Sequence, residues 1–322
     1  MEKNMTEIEN SFGEFVDNIG PTMTLPGLGD TWRRFAVLAE AASIDLSLGR
    51  LCEGHADALA IIAESGNVPS PGASYGVWAS RSRSANTFAH RVNGGWSLSG
   101  SKEFCSGARI IDRALVTAAS DEGYLLFDID VAEQVTCVIE DSWPAIGMAD
   151  SQSETLEFGG VAIPESALVG PPEFYVQRPG FWFGAAGVAA CWFGGAVGLL
   201  NGVMRWMQDE PSESVLVDLG GAVSELEAMR YALQAAARDF DKDPNDRRRQ
   251  AKFRALVTRR VVHDAALAVL ERVASAGGAR PLCHDSQQAR RAADLYVYLS
   301  QHRGNADAKE LGGMLTKAQS WI

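Results

Sequence analysis

The alternation of apolar and polar positions changes rhythm twice along the chain. Over residues 31–65, Phe35, Leu38, Ala42, Leu46 and Leu59 recur at helical spacings, and Gly66 stops the run. Between Pro69 and Pro172 short β-type runs replace the helical period. They include Thr87-Phe88-Ala89, Ala114-Leu115-Val116-Thr117, Tyr124-Leu125-Leu126-Phe127 and Val135-Thr136-Cys137-Val138-Ile139. Gly, Pro, Asn and Asp separate these runs, and strands at this density predict a small barrel or sandwich. The helical period returns from Gly180. Leu219, Val223, Leu226, Met229, Leu233 and Phe240 keep helical steps and form one apolar stripe. Asp241 to Asp246, with Pro244, break that helix, and the next begins near Arg247. The chain therefore reads as α+β in three blocks: a short N-terminal helical domain (1–68), a central β domain (69–172) and a C-terminal helical bundle (173–322).

One helix departs from the amphipathic pattern. Residues 181–200, FWFGAAGVAACWFGGAVGLL, are twenty uncharged residues, long enough to cross a bilayer. Ala186, Ala190, Gly194, Gly198 and Gly202 recur every four residues and line one helix face. Such a ridge lets another backbone approach closely, in a membrane or in a protein core. Standing alone among amphipathic helices, it is read as a buried central helix, and no membrane association is expected.

Composition narrows the classes. A chain of 322 residues can bury a sizeable core divided among two or three domains. Its net charge of −12 argues against a nucleic-acid surface, which needs a basic stripe to release counterions. The five cysteines (52, 105, 137, 191 and 283) are scattered and include no CxxC pair, so neither a disulfide framework nor a zinc site is indicated. The first residues, MEKNMTEIEN, are acidic and lack an apolar core, so a signal peptide is not expected and a cytoplasmic location is.

The stretch LSGSKEFCSG, residues 98–107, carries the most chemical information. Asn93-Gly94-Gly95 supplies a tight hairpin turn before it. Taken by itself the stretch is a hairpin strand followed by a small-residue loop, with Phe104 in the core and Ser106 as a turn former. Gly100, Lys102, Phe104 and Ser106 also match, in order and spacing, the Gly-x-Lys-x-aromatic-x-Ser/Thr pattern of the acyl-CoA dehydrogenase superfamily. Further fragments resemble that family in the same order. They are Ala41 to Ser47 followed by His55 and Gly66, then Gly147-Met148 with Ser151 to Val161 and Ile163-Pro164, then Gly277-Gly278 followed by Arg291. Helices, a β domain and a long antiparallel bundle are the family's block order, and the resemblance runs from about residue 31 to the end.

The resemblance implies a flavoprotein oxidoreductase with non-covalent FAD, assembled as a homodimer or homotetramer. Its implied cofactor contacts are Trp78, Phe104, Cys105, Ser106, Gly277, Gly278 and Arg291. Flavin receives hydride at N5 and the protein orients and tunes that edge. The Ser106 hydroxyl would donate to N5 or O4, and Phe104 would lie against the ring face. Arg291, among the basic pairs and triplets 247–249, 259–260 and 290–291, would meet phosphate, which arginine binds bidentately. The other arginine runs read as solvated helix faces.

Departures from the family bear on chemistry. The N-terminal helical domain is short, Tyr75 to Ser80 replaces an acidic Gly-Ser-Asp loop, and Gln208-Asp209-Glu210-Pro211 replaces the Arg and Phe-Gly near the FAD pyrophosphate. The family's basic Glu would align with Arg303, which stays protonated and is no ordinary base. The helix that carries the base in other relatives matches 181–202, which has no carboxylate. His302 is the candidate substitute, because imidazole transfers protons near neutral pH; flavin monooxygenases of this fold place a histidine near here. The expected activity is oxidation of an acyl thioester or related small substrate by α-proton removal and β-hydride transfer. The alternatives are oxygen insertion involving His302, or a non-catalytic flavoprotein-like subunit.

Overall fold

The computed structural model describes residues 6–82 and 86–317. In chain order the elements are α1 (Glu7–Glu14), α2 (Thr31–Ile44), α3 (Leu46–Ser65), β1 (Tyr75–Trp78), β2 (Thr87–Val92), β3 (Gly95–Cys105), β4 (Arg113–Ser120) and β5 (Gly123–Asp130). They continue as α4 (Val131–Gln134), β6 (Cys137–Val138), β7 (Glu154–Pro164), α5 (Phe174–Gln177) and α6 (Gly180–Met204). The chain ends in α7 (Glu213–Lys242), α8 (Ala251–Gly277), α9 (Ala279–His284), α10 (Ser286–Leu299) and α11 (Gly304–Lys317). The single helical run predicted over 31–65 is broken at Asp45. Its extended backbone ends α2, and its carboxylate accepts the N–H groups of Ser47 and Leu48 at the start of α3 (2.8 and 3.0 Å).

These elements form two compact units. The first comprises residues up to Met23, Arg50–Ala145 and Ala149–Phe181. Its centre is a curled seven-stranded sheet of order β1-β4-β2-β3-β7-β6, with β5 paired to β4. The Asn93-Gly94-Gly95 turn joins β2 to β3 as expected, and β3 then runs antiparallel to β7. Gly100 occupies φ +93°, and a Cβ there would collide with the Asn86 carbonyl oxygen, so only glycine fits this point of the loop pattern. Ala58, Ile61 and Ile62 of α3 pack on Tyr75, Val77, Leu115, Leu126 and Val169 to make a buried core. His55 is structural: it is buried, its Nδ1 accepts the Tyr75 N–H at 3.1 Å, and Phe12 and Phe15 meet its ring edge-on.

The second unit comprises Thr24–Gly49, Ile146–Met148 and the residues from Trp182 onward. α6 is long and apolar enough to cross a membrane by length and composition, and 72% of its most apolar window is buried. Its glycine ridge has defined partners. A Cβ on Gly194 would strike the Ala39 carbonyl oxygen, one on Gly198 the Ser43 carbonyl oxygen, and one on Gly202 the Gln288 side chain. The ridge thus seats the α2 backbone directly and leaves room for the Gln288 side chain of α10. Asp241 holds the start of α2, accepting from Thr31 Oγ1 (2.6 Å), Thr31 N (3.2 Å) and Gly29 N (3.0 Å).

The apolar stripe of α7 is realised over its second half, where Met229, Leu233 and Phe240 are buried. Val223 is exposed instead, and Ala222 takes the inward position. α8 begins at Ala251 rather than near Arg247. Asp243 accepts the N–H groups of Arg247 and Arg248, and Asp246 those of Gln250 and Ala251, which holds the arginine triplet in the turn.

Candidate functional site

In the first unit, the predicted loop residues come together at the end of β3. The β3–β7 register shifts between Lys102 and Cys105, and Phe104 within that irregularity adopts φ +62°. A left-handed backbone is costly for an aromatic residue, by roughly 1–3 kcal/mol, and such strain gathers at binding sites. Its effect here is to turn Phe104 outward: the ring is 52% exposed and rests edge-on against Trp143, with centroids 6.2 Å apart. Sequence reasoning places Phe104 either in the core or on a ring face, and the exposed position excludes the core.

Ser106 follows with its side chain buried. Its Oγ lies 2.8 Å from Ser153 Oγ, which lies 2.8 Å from Ser151 Oγ. A hydroxyl has one hydrogen, so with Ser153 donating toward Ser106 the Ser106 O–H remains available to a ligand. Trp78 is buried beneath the loop, its indole N–H donating to the Ser106 carbonyl at 3.0 Å. Cys105 is fully enclosed, and burial raises its thiol pKa far above the usual range, so it is unreactive there. Lys102 points inward: its Nζ donates to the Thr117 carbonyl (2.6 Å) and the Ser80 carbonyl (3.3 Å), and burial lowers its pKa to about 8. It ties the loop's root to β4.

In the second unit, Gly277 ends α8 and Gly278, at φ +61°, turns the chain into α9. A Cβ on Gly277 would collide with Val203. Arg291, on α10, has Nε and Nη1 buried with no hydrogen-bond partner. Burial and the nearby Arg205 oppose its charge, while Asp285 and Asp45 favour it. Two orphaned guanidinium donors fit an acceptor-only anion such as phosphate.

His302 lies in the turn between α10 and α11, with its side chain wholly enclosed. Trp192 meets it edge-on at 5.6 Å between centroids, and the His263 ring lies 4.6 Å away. Burial, then Arg259 and His263, lower its pKa from the usual 6.5 to about 4, so it is neutral at neutral pH. Arg259 is no solvated face: Nη1 donates to the Ala185 carbonyl at 2.9 Å and the guanidinium lies 4.8 Å over Trp192.

The sequence reading missed Ser151, Ser153, Trp143, Trp192, Arg259, His263 and Asp307. Only the Ser-x-Ser spacing of 151 and 153 offered a signal, since alternate positions of an extended segment face one side. Among the described residues, no group of three or more His, Cys, Asp or Glu is placed to hold a metal.

The curled sheet followed by long C-terminal helices is the acyl-CoA dehydrogenase-like fold. Two solved structures share it across nearly the whole chain. TdsC of Paenibacillus sp. A11-2, a dibenzothiophene monooxygenase solved with FMN and indole, superposes with a TM-score of 0.77 at 17% identity, covering 97% of this chain and 96% of TdsC. The methanesulfinate monooxygenase MsuC of Pseudomonas fluorescens gives 0.78 at 20% identity, covering 97% and 89%. A dibenzothiophene monooxygenase of Mycolicibacterium goodii is 30% identical over 174 residues, 48% of this chain. That match spans 42% of the relative, less than half its length. No family model matches the chain.

Proposed function

We propose that this chain is a flavin-dependent monooxygenase rather than the thioester dehydrogenase first expected. It would receive reduced flavin from a separate reductase and place one atom of O2 in a small organic substrate, the other leaving as water. The observation that carries the reading is the state of His302. A dehydrogenase of this fold needs a carboxylate base. If Gly304 is aligned on the family glycine, Arg303 takes the place of that carboxylate, and α6 contains no Asp or Glu. An enclosed imidazole held neutral keeps one N–H and one lone pair, so it can donate and accept hydrogen bonds without a standing charge. The monooxygenases to which the chain is similar support the same choice, and their names make organosulfur compounds the first substrates to test.

The Phe104–Ser106 loop would hold the isoalloxazine edge over Trp78; Arg291 and the Gly277-Gly278 turn are proposed separately as phosphate contacts, to this chain's flavin or a neighbouring subunit's, with FAD as the proposed form. Bound reduced flavin supplies the electron pair for oxygen. The chain's own residues orient the ring, and His302 presents a neutral imidazole for hydrogen bonding. A homodimer or homotetramer is the proposed assembly.

The test is to mix purified protein anaerobically with thioesters and organosulfur compounds, then add reduced flavin and 18O2. Substrate should leave oxidised flavin unbleached without oxygen, and product should carry one 18O. Anaerobic bleaching by a thioester would restore dehydrogenation. Normal flavin binding without turnover under either regime would instead indicate a non-catalytic subunit.

A further inference from the structure

A neutral imidazole carries one hydrogen, and which nitrogen bears it decides which one can accept a proton. His302 Nδ1 lies 3.5 Å from Oδ2 of Asp307. This exceeds the length of a formed hydrogen bond, yet neither ring nitrogen has another partner. Hydrogen bonds of this kind are commonly long before ligand binds and tighten afterwards. Asp307 stands in the first turn of α11, where its own N–H donates to the Arg303 carbonyl at 3.1 Å, so the helix start sets the carboxylate beside the Nδ1 edge.

The opposite edge faces Gly304. A Cβ at that position would sit 3.4 Å from Nε2, 3.3 Å from Cδ2 and 3.6 Å from Arg260 Nη1, so glycine leaves a side chain's width between the Nε2 edge and the α11 start. The charged and titratable groups around the ring are Arg259, Arg260 and His263 from α8 and Asp307 from α11. His263 does not compete for Asp307, because its Nδ1 is engaged with Asp264 at 3.0 Å. Arg259 Nε approaches Asp307 at 4.0 Å from the other side and is itself fixed on Ala185 and Trp192.

We infer that Asp307 is a positioning residue for His302: it accepts the Nδ1 hydrogen and leaves the Nε2 lone pair as the proton-accepting atom. This is the physical role a carboxylate plays behind a working histidine. The effect on turnover rests on the monooxygenase reading, whereas the tautomer does not.

The experiment is long-range 15N–1H correlation on 15N-histidine-labelled protein, with the His302 signals assigned by His302→Gln. Wild type at neutral pH should show His302 protonated at Nδ1. Asp307→Ala should move His302 toward the Nε2–H form, lower kcat by about 10–100-fold with KM unchanged, and leave flavin binding intact. Asp307→Asn, which keeps an acceptor oxygen, should recover part of both. A wild-type His302 protonated at Nε2, or an identical tautomer in Asp307→Ala, overturns the inference. The wild-type spectrum decides the matter even if Asp307→Ala does not fold. Failure of wild type to turn over any substrate would count against the monooxygenase reading and leave the tautomer result standing.

Discussion

The indole N–H of Trp78 donates to the carbonyl of Ser106 at 3.0 Å, joining the end of β1 to the turn that follows β3. The two residues are 28 positions apart, and the bond fixes the height of the Ser106 loop over the sheet. Trp78→Phe keeps the aromatic bulk and strands a buried carbonyl, a loss of about 1–3 kcal/mol. Urea denaturation should show that loss in the midpoint with an unchanged slope, together with weaker flavin binding. Full stability in Trp78→Phe would remove the bond from the account of the loop.

Gly194→Leu should prevent correct folding of the second unit. The new side chain would begin at the Ala39 carbonyl, with no room for relaxation because α2 lies against the ridge. Overpacking of this kind costs roughly 1–3 kcal/mol or more. Circular dichroism and thermal melting check it; a variant with the wild-type Tm would mean the ridge does not carry the α2–α6 contact.

Arg291→Ala should weaken flavin binding while leaving the fold intact, because the two orphaned donors have no protein partner to lose. Ligand that binds only the folded form raises the melting temperature, so FAD should stabilise wild type more than the variant. Comparing FAD with FMN tells which flavin the site prefers. Equal shifts with FAD in wild type and Arg291→Ala would detach Arg291 from the cofactor.

The lowered pKa of His302 predicts a pH dependence of stability. The unfolded chain binds a proton near the usual 6.5, the folded one only near 4, so between those values the unfolded state holds more protons. Stability from this group is therefore full above about pH 6.5 and is lost as pH falls toward 4. Melting temperatures over that window should fall more steeply in wild type than in His302→Gln. Parallel curves would show that the imidazole is not held neutral by the fold.

Local rules explain what was readable in advance. Asn93-Gly94-Gly95 makes its turn, and Gly100 stands at a positive φ, because glycine adopts those backbone geometries without strain. The small-residue ridge of α6 is a one-dimensional repeat, so its four-residue period could be read as a packing face before its partners were known. The change from helical to β-type rhythm placed the strands between two helical stretches, since side-chain period follows backbone geometry. Local rules failed where a distant group decided the outcome. Val223 faces solvent although it continues the stripe, because Ala222 takes the inward position on that turn.

The site divides along the same line. By itself the sequence determined that a Gly-x-Lys-x-aromatic-x-Ser loop exists, that an arginine follows a diglycine, and that residues 181–202 hold no carboxylate. Only the tertiary structure decided that Phe104 is turned outward, that Ser106 ends a chain of three hydroxyls reaching Ser151, and that Arg291 keeps two donors unanswered. It also decided the character of His302, whose neighbours Trp192 and His263 come from helices far away in sequence. Burial and nearby charge set a pKa, and both depend on distances across the fold that no spacing along one segment encodes.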